Sequence, residues 1–267
     1  AMRQKLPEIG PGAFAENLTL EGLVCSSLGL GTRLRLGAQA EIRLSQLGKV
    51  CHSRCAIYHE TGDCIMPRLG LFARVLKGGS VAVADPVEVL ELVPRERFQV
   101  VVLTVSDRCA AGSAEDTAGP AAAAAVEQEL GAHTYRTEVV PDEAGRIAER
   151  LKHYCDGHSL DLVLTVGGTG FSPRDVTPEA TRPLLERFTP GLDEAMRAAS
   201  LRSLPQAMLS RGVSGIRGAT LIVNLPGSRE AATENLRAIL PALGHGLRKL
   251  RGDPTDCASP GSRQCEE

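Results

Sequence analysis

Tryptophan is absent, and aromatic residues make up only 3% of the 267-residue chain. A surface that stacks nucleic-acid bases needs aromatic platforms, so a base-stacking function is excluded. Charge of one sign is also lacking. The formal net charge of -2 leaves no polybasic field for phosphate backbones, and no nucleic-acid partner is expected. No apolar run approaches the roughly 20 residues that span a bilayer, and no charged-then-apolar leader opens the chain. The chain therefore reads as cytoplasmic, with no membrane partner. In that compartment structural disulfides are uncommon, so the eight cysteines do not imply a disulfide framework. What the chain does have is 43% hydrophobic residues, enough for a packed core.

Two regions follow different grammars. As far as about residue 93, short apolar segments are punctuated by glycine. Arg33–Leu36, Glu41–Leu44 and Val87–Leu92 read as strands, and Met66–Leu76 as a short helix or a turn plus strand. This is the pattern of a small β-rich, barrel-like domain over 1–93. Val93-Pro94-Arg95-Glu96-Arg97 holds a proline and charges, so 94–97 is expected to be a linker.

Phe98–Val105 then begins a run of buried-strand character, with β-branched residues in succession. Strands are expected at Tyr135–Val140, Leu160–Val166 and Ala219–Leu225. Helices are expected at Pro120–Leu130, Glu143–Tyr154, Pro178–Phe188, Leu192–Leu204 and Ser228–Leu250. Strands alternating with helices predict an α/β fold, a mostly parallel sheet within three α/β/α layers, over 98–251. The stretch 252–267 has no period and reads as a disordered tail.

In such a sheet, sites lie at the carboxyl ends of strands. Four segments fall there. Ser106 and Asp107 leave the first strand of this region and lead through Asp116-Thr117-Ala118-Gly119 into a helix; read alone, this is either a site or a capped loop. Asp142 follows the second strand, where an N-cap is the simpler reading. Gly167, Gly168, Thr169 and Gly170 follow the third, then Arg174, Asp175, Thr177 and Pro178. Glycines there let backbone N–H groups turn toward an anion. A structural turn does not need the polar string behind them, so a functional reading is favoured. The loop is neither a Walker A loop nor a dinucleotide fingerprint. Asn224, Pro226, Gly227 and Ser228 close the last strand, where a helix N-terminus is either capped or a phosphate seat. Two anion cradles with carboxylates and no clustered histidine suit Mg²⁺ and phosphoryl or nucleotidyl transfer.

The ordered set SDR, DTAG, VPDE, TVGGTG with SPRDVTPE, and NLPGS closely resembles the molybdopterin adenylyltransferase family across nearly all of Phe98–Leu250. The resemblance implies a three-layer α/β domain, usually a trimer, that transfers AMP from Mg-ATP to molybdopterin and releases pyrophosphate. It implies that Asp142 and Asp175 match the family's essential aspartates. Ser106, Asp107, Gly167, Gly168, Thr169 and Gly170 would line the nucleotide and pterin pocket, and Asn224, Pro226, Gly227 and Ser228 would cradle phosphate. Asp142 and Asp175 would hold Mg²⁺, directly or through water, and Arg174 with the glycine-loop N–H groups would stabilise the transferring group. A homotrimer and the molybdate-insertion enzyme are the implied partners. The alternative is a non-catalytic carrier of molybdopterin.

In the first region, Cys51, His52, Cys55, His59 and Cys64 lie close together, but a second cysteine pair at zinc-site spacing is missing. Cys51 sits near Lys49 and Arg54, which would favour its thiolate; burial as a small apolar residue is equally open. PGAFAENLT and GKVCHSRC resemble the MOSC (molybdenum cofactor sulfurase C-terminal) domain in a shortened form. This implies a β-rich barrel that contacts the cofactor or carries its sulfur, with Cys51 as the family's characteristic cysteine.

Overall fold

The computed structural model describes residues 10, 12–48, 58–59, 62, 66, 70–158 and 160–254. Cys51 and the other cysteines of its cluster, and 255–267 of the expected tail, lie outside the described residues. Four strands form one antiparallel sheet: β1 (Arg33–Leu36), β2 (Ala40–Leu47), β3 (Leu71–Lys77) and β4 (Val87–Glu91), in the order β3-β2-β1-β4. Six others form the second sheet: β5 (Gln99–Val105), β6 (His133–Val140), β7 (Leu162–Val166), β8 (Arg187–Phe188), β9 (Ser214–Arg217) and β10 (Thr220–Leu225), in the order β6-β5-β7-β10-β9-β8. Its β6, β5, β7 and β10 run parallel, while β9 and β8 add an antiparallel edge. The fold is thus α/β with a mostly parallel sheet, beside a separate antiparallel one.

Strand β5 shows why the second region is layered. All seven of its residues are buried. Side chains alternate across a strand, so Val100 and Val102 enter one core and Val101, Leu103 and Val105 the other. The first core is closed by α2 (Ala118–Leu130), α5 (Pro190–Ser200) and α6 (Arg229–Leu250), the second by α3 (Ala144–Gly157) and the short α4 (Thr177–Thr181). A single turn, α1 (Asp107–Ala110), leaves β5.

The helix expected over Pro178–Phe188 is a correction. It ends at Thr181 and gives way to a 3-10 turn at Arg182–Leu184, then to edge strand β8. Pro183 has no N–H to continue an α-helical ladder. The helix expected at Leu192–Leu204 starts earlier and stops at Ser200. Strand β9, which turns into β10 through Gly218 at φ +56°, had no periodic signal because only four residues carry it.

The two sheets share a core. Leu28, Leu30, Leu44 and Leu47 of the first region pack in the cluster that holds Val101, Leu103, Ile147, Leu151 and Tyr154. The first region meets the amino ends of the parallel strands. Leu28 bridges Pro94, Gly31 lies against His133 at the start of β6, and Ser45 O accepts from His158 Nδ1 at 2.5 Å ahead of β7. Arg251, just past α6, fastens the connection by donating to Glu96 O, Arg97 O and both oxygens of Asp161.

Candidate active site

The carboxyl ends of β5, β6, β7 and β10 all open on one side. There a cavity of about 880 Å³ is lined by Ser106, Asp107, Asp142, Gly167, Gly168, Arg174, Asp175, Gly227 and Ser228, among others. A second cavity of about 320 Å³ adjoins it and is lined by Thr169, Gly170 and Pro226. Gly168, Asp175 and Gly227 border both. Of the expected residues among those described, Asn224 alone lines neither. It is buried, and it ties Thr165, Thr181 and the Val213 N–H together beneath the loops.

The glycine loop owes its shape to its glycines. Gly167 has φ +108°, and a side chain there would strike the Val105 carbonyl. Gly168 has φ +64°, and a Cβ would lie 3.2 Å from Asp142 Oδ1 and would collide with the Thr177 hydroxyl. Each carbonyl of the loop is tethered. Gly167 O accepts from Thr177 Oγ1 at 2.9 Å, Gly168 O from Thr177 N at 3.0 Å, Thr169 O from Arg211 N at 2.9 Å, and Gly170 O from Arg211 Nε at 2.7 Å. In a trans peptide the next residue's N–H points opposite the carbonyl. The N–H groups of residues 168 to 171 therefore point away from those tethers, and no described residue accepts from them. Gly168, Thr169 and Gly170 border the cavities, and unpaired N–H groups in succession there are suited to cradle an anion. A second donor set adjoins it at the start of α6, where Gly227 packs against Gly167 and Ser228 caps the helix by accepting from Ala231 N.

Three carboxylates, Asp107, Asp142 and Asp175, line the larger cavity. Asp107 and Asp142 cross-brace their loops: Asp107 N donates to Asp142 Oδ2 at 2.7 Å, and Asp142 N to Asp107 Oδ1 at 2.9 Å. Arg174 grips Asp107 with two hydrogen bonds, which hold that carboxyl below its ordinary range. The guanidinium expected to face a transferring group is thus engaged with Asp107. Burial pushes Asp142 above the usual carboxylate range, and the charges of Asp107 and Asp175 push the same way. Asp175 Oδ2 accepts from Ser172 N at 2.7 Å. Among the described residues no hydrogen bond uses Oδ1 of Asp142 or of Asp175.

These groups fit a hard cation. The donors are carboxylate oxygens, two of them free, and Gly168 keeps the space beside Asp142 Oδ1 open. Among the described residues no three metal-ligating side chains converge on one point. The protein would then supply a minority of the ligands, the usual arrangement where substrate phosphates and water supply the rest.

Sequence reasoning did not find Arg211, nor the buried Ser200 and Asn235 with the exposed Glu234 in the wall of the smaller cavity. Ser200 Oγ donates to Glu234 and accepts from Asn235 Nδ2, each at 2.6 Å. Arg211 lies in a stretch without periodicity; the other three sit on helices whose amphipathic pattern accounts for them as packing. No local signal marks any of the four.

Comparison with known proteins gives a consistent outcome. The family described as "Probable molybdopterin binding domain" matches residues 101–245, and the MOSC domain family matches residues 1–88. A gephyrin of Dictyostelium discoideum is 43% identical over 168 residues, 60% of this chain; the match spans only 23% of that protein's length. A molybdopterin adenylyltransferase of Helicobacter pylori is 39% identical over 159 residues, which are 59% of this chain and 90% of that protein. The crystal structure of a molybdopterin biosynthesis enzyme, MoaB of Thermus thermophilus, is 48% identical with a TM-score of 0.56, covering 60% of this chain and 99% of that one.

Proposed function

The chain belongs to the "Probable molybdopterin binding domain" family, and on that premise we propose that it adenylylates molybdopterin, moving AMP from ATP to the pterin's terminal phosphate with release of pyrophosphate. A role in molybdenum cofactor biosynthesis is supported by the relatives as a group. The observation that carries the specific reaction is the row of outward N–H groups at 168 to 171 beside Asp142 and Asp175, where two cavities adjoin. Two substrates need two adjoining seats. The larger, charged one suits the nucleotide phosphates. The smaller, with Ser200, Asn235 and Glu234 in its wall, suits a ring with hydrogen-bonding edges.

No side-chain nucleophile is required. An oxygen of the pterin phosphate attacks the α-phosphorus of ATP, and the bond to the β-phosphate oxygen breaks. Both reactants are anionic, so the protein's task is to hold them in line and offset their charge. The 168–171 amides donate to phosphate oxygens and bear no titratable proton. Ser228 and the first turn of α6 offer a second seat. Asp142 and Asp175 would hold Mg²⁺, directly or through water, and that ion would neutralise charge on the triphosphate. Asp107, braced by Arg174, keeps the Asp142 loop in register.

The same proposal sets the division between the regions at 94–97 and gives the first region a role with the same cofactor. It brings with it a cytoplasmic location, a homotrimer through the second region and delivery to a molybdate-insertion enzyme. The test is Asp175→Ala with ATP, Mg²⁺ and molybdopterin. We expect AMP transfer to fall by about 10²- to 10³-fold. Turnover near that of the unaltered protein removes Asp175 from the mechanism. Tight molybdopterin binding by the unaltered protein with no AMP–pterin formed would identify a carrier instead.

A further inference from the structure

The geometry points to Arg211 as the positioning residue of the anion cradle, an inference that rests on the adenylyl-transfer reading of that site. Arg211 lies between the 3-10 turn Pro205–Leu209 and β9, outside every motif legible in the sequence. Its backbone N–H donates to Thr169 O at 2.9 Å. Its guanidinium donates through Nε to Gly170 O at 2.7 Å and through Nη2 to Asp175 O at 2.5 Å, and Nη1 pairs with Glu179 on α4. One residue thus tethers two of the loop's four carbonyls and also the carbonyl of Asp175.

These bonds decide which way the loop's amides point. The Gly170 carbonyl is held on the Arg211 side, so the Phe171 N–H is turned away from it. Glycine-rich backbone has little preference of its own and would rotate these peptides freely without such a tether. Fixing the Asp175 carbonyl also fixes the turn in which Asp175 N donates to Ser172 O and Ser172 N to Asp175 Oδ2. The guanidinium touches neither cavity of the site. It faces a separate groove with Glu179, Arg182, Phe188 and Arg197. Its influence on the reaction therefore passes wholly through the loop. Only a planar guanidinium reaches all three acceptors at once; an ammonium at the same place reaches fewer of them and orients them less.

The test compares the full chain with Arg211→Ala and Arg211→Lys. In Arg211→Ala, kcat for AMP transfer should fall by about 10²-fold, the scale of a catalytic group misplaced by about an ångström. KM for ATP should rise far less than kcat falls. Arg211→Lys should recover part of kcat. Hydrogen exchange at Ser172, Asp175 and Thr177 should quicken about tenfold or more in Arg211→Ala, while α6 keeps its protection. An unchanged kcat, or a loss carried entirely by KM, overturns the proposal. So does faster exchange spread over the whole molecule if Arg211→Lys shows the same. If the unaltered protein transfers no AMP, the functional reading fails, and the exchange comparison still decides whether Arg211 orders the loop.

Discussion

A single missing methyl group governs much of the site. Gly167 takes φ +108°, where an L side chain is strained, and a Cβ there would run into the Val105 carbonyl of the neighbouring strand. That strand belongs to the core, so the loop and not the strand must give way. Gly167→Ala should leave a folded protein and cost about 1–3 kcal/mol of stability from the backbone conformation alone. It should also abolish most AMP transfer, since the N–H row begins at the next residue. Thermal melting and a transfer assay check both parts; a fully active Gly167→Ala would show that the loop's shape is not what the reaction uses. At this scale the sequence was a fair guide. Gly167 and Gly168 were legible because glycine after a buried strand has a local physical meaning, and Asp175 because a polar string follows them; Asp142 read alone as an N-cap, and only the family resemblance set it beside Asp175. Arg211 was not, because its partners are about forty residues away and nothing local betrays them. Asn224 was misleading in the opposite sense: its place in the NLPGS string suggested phosphate, yet its amide is spent on Thr165 and Thr181.

Among the elements, the helices and strands with ten or more periodic residues, or with all faces buried, could be read directly. β5, β7 and α6 are examples. Short elements could not. The four residues of β9 exist because β10 offers them an edge and the two of β8 because β9 does, and Pro183 stops the helix that would otherwise have run through. The end of α3 carries a more specific expectation. His158 Nδ1 donates to Ser45 O, which leaves its Nε2 to accept from His153 Nε2 at 3.2 Å. Tyr135, Glu138, Arg150, Tyr154 and Arg136 surround the pair from α3 and β6, and Arg74 approaches from β3. Burial lowers both histidines below 6.5, and the cationic neighbours push the same way. A base with a depressed folded pKa gives up stability when its proton arrives. The stabilising contribution is therefore whole above about pH 6.5 and declines as the pH falls below that value. Urea unfolding at pH 7.5 and pH 5.5 should show the loss, and His158→Gln should reduce it. An identical pH difference in both proteins would remove this pair from the account.

In the whole molecule, the antiparallel sheet is not a bead on a string. Leu30 is fully buried within the core that also holds Leu103 and Ile147. Gly29 N donates to Val93 O at 2.7 Å, and Arg251 binds the 94–97 segment to Asp161. Calorimetry of the full chain should give one unfolding transition for both regions. Leu30→Ala should lower its stability by about 2–5 kcal/mol. Two well-separated transitions, with Leu30→Ala moving only the first, would show that the regions fold independently. The place of attachment has a further consequence. The first region meets β5, β6 and β7 at their amino ends, whereas the cavities open at the carboxyl ends, a strand's length or about 20 Å away. Traffic through the cavities is consequently unobstructed by the attached sheet. Among the described residues, a molecule in either cavity therefore meets the second region alone, and the antiparallel sheet serves as a foundation for the parallel strands and not as a wall of the site.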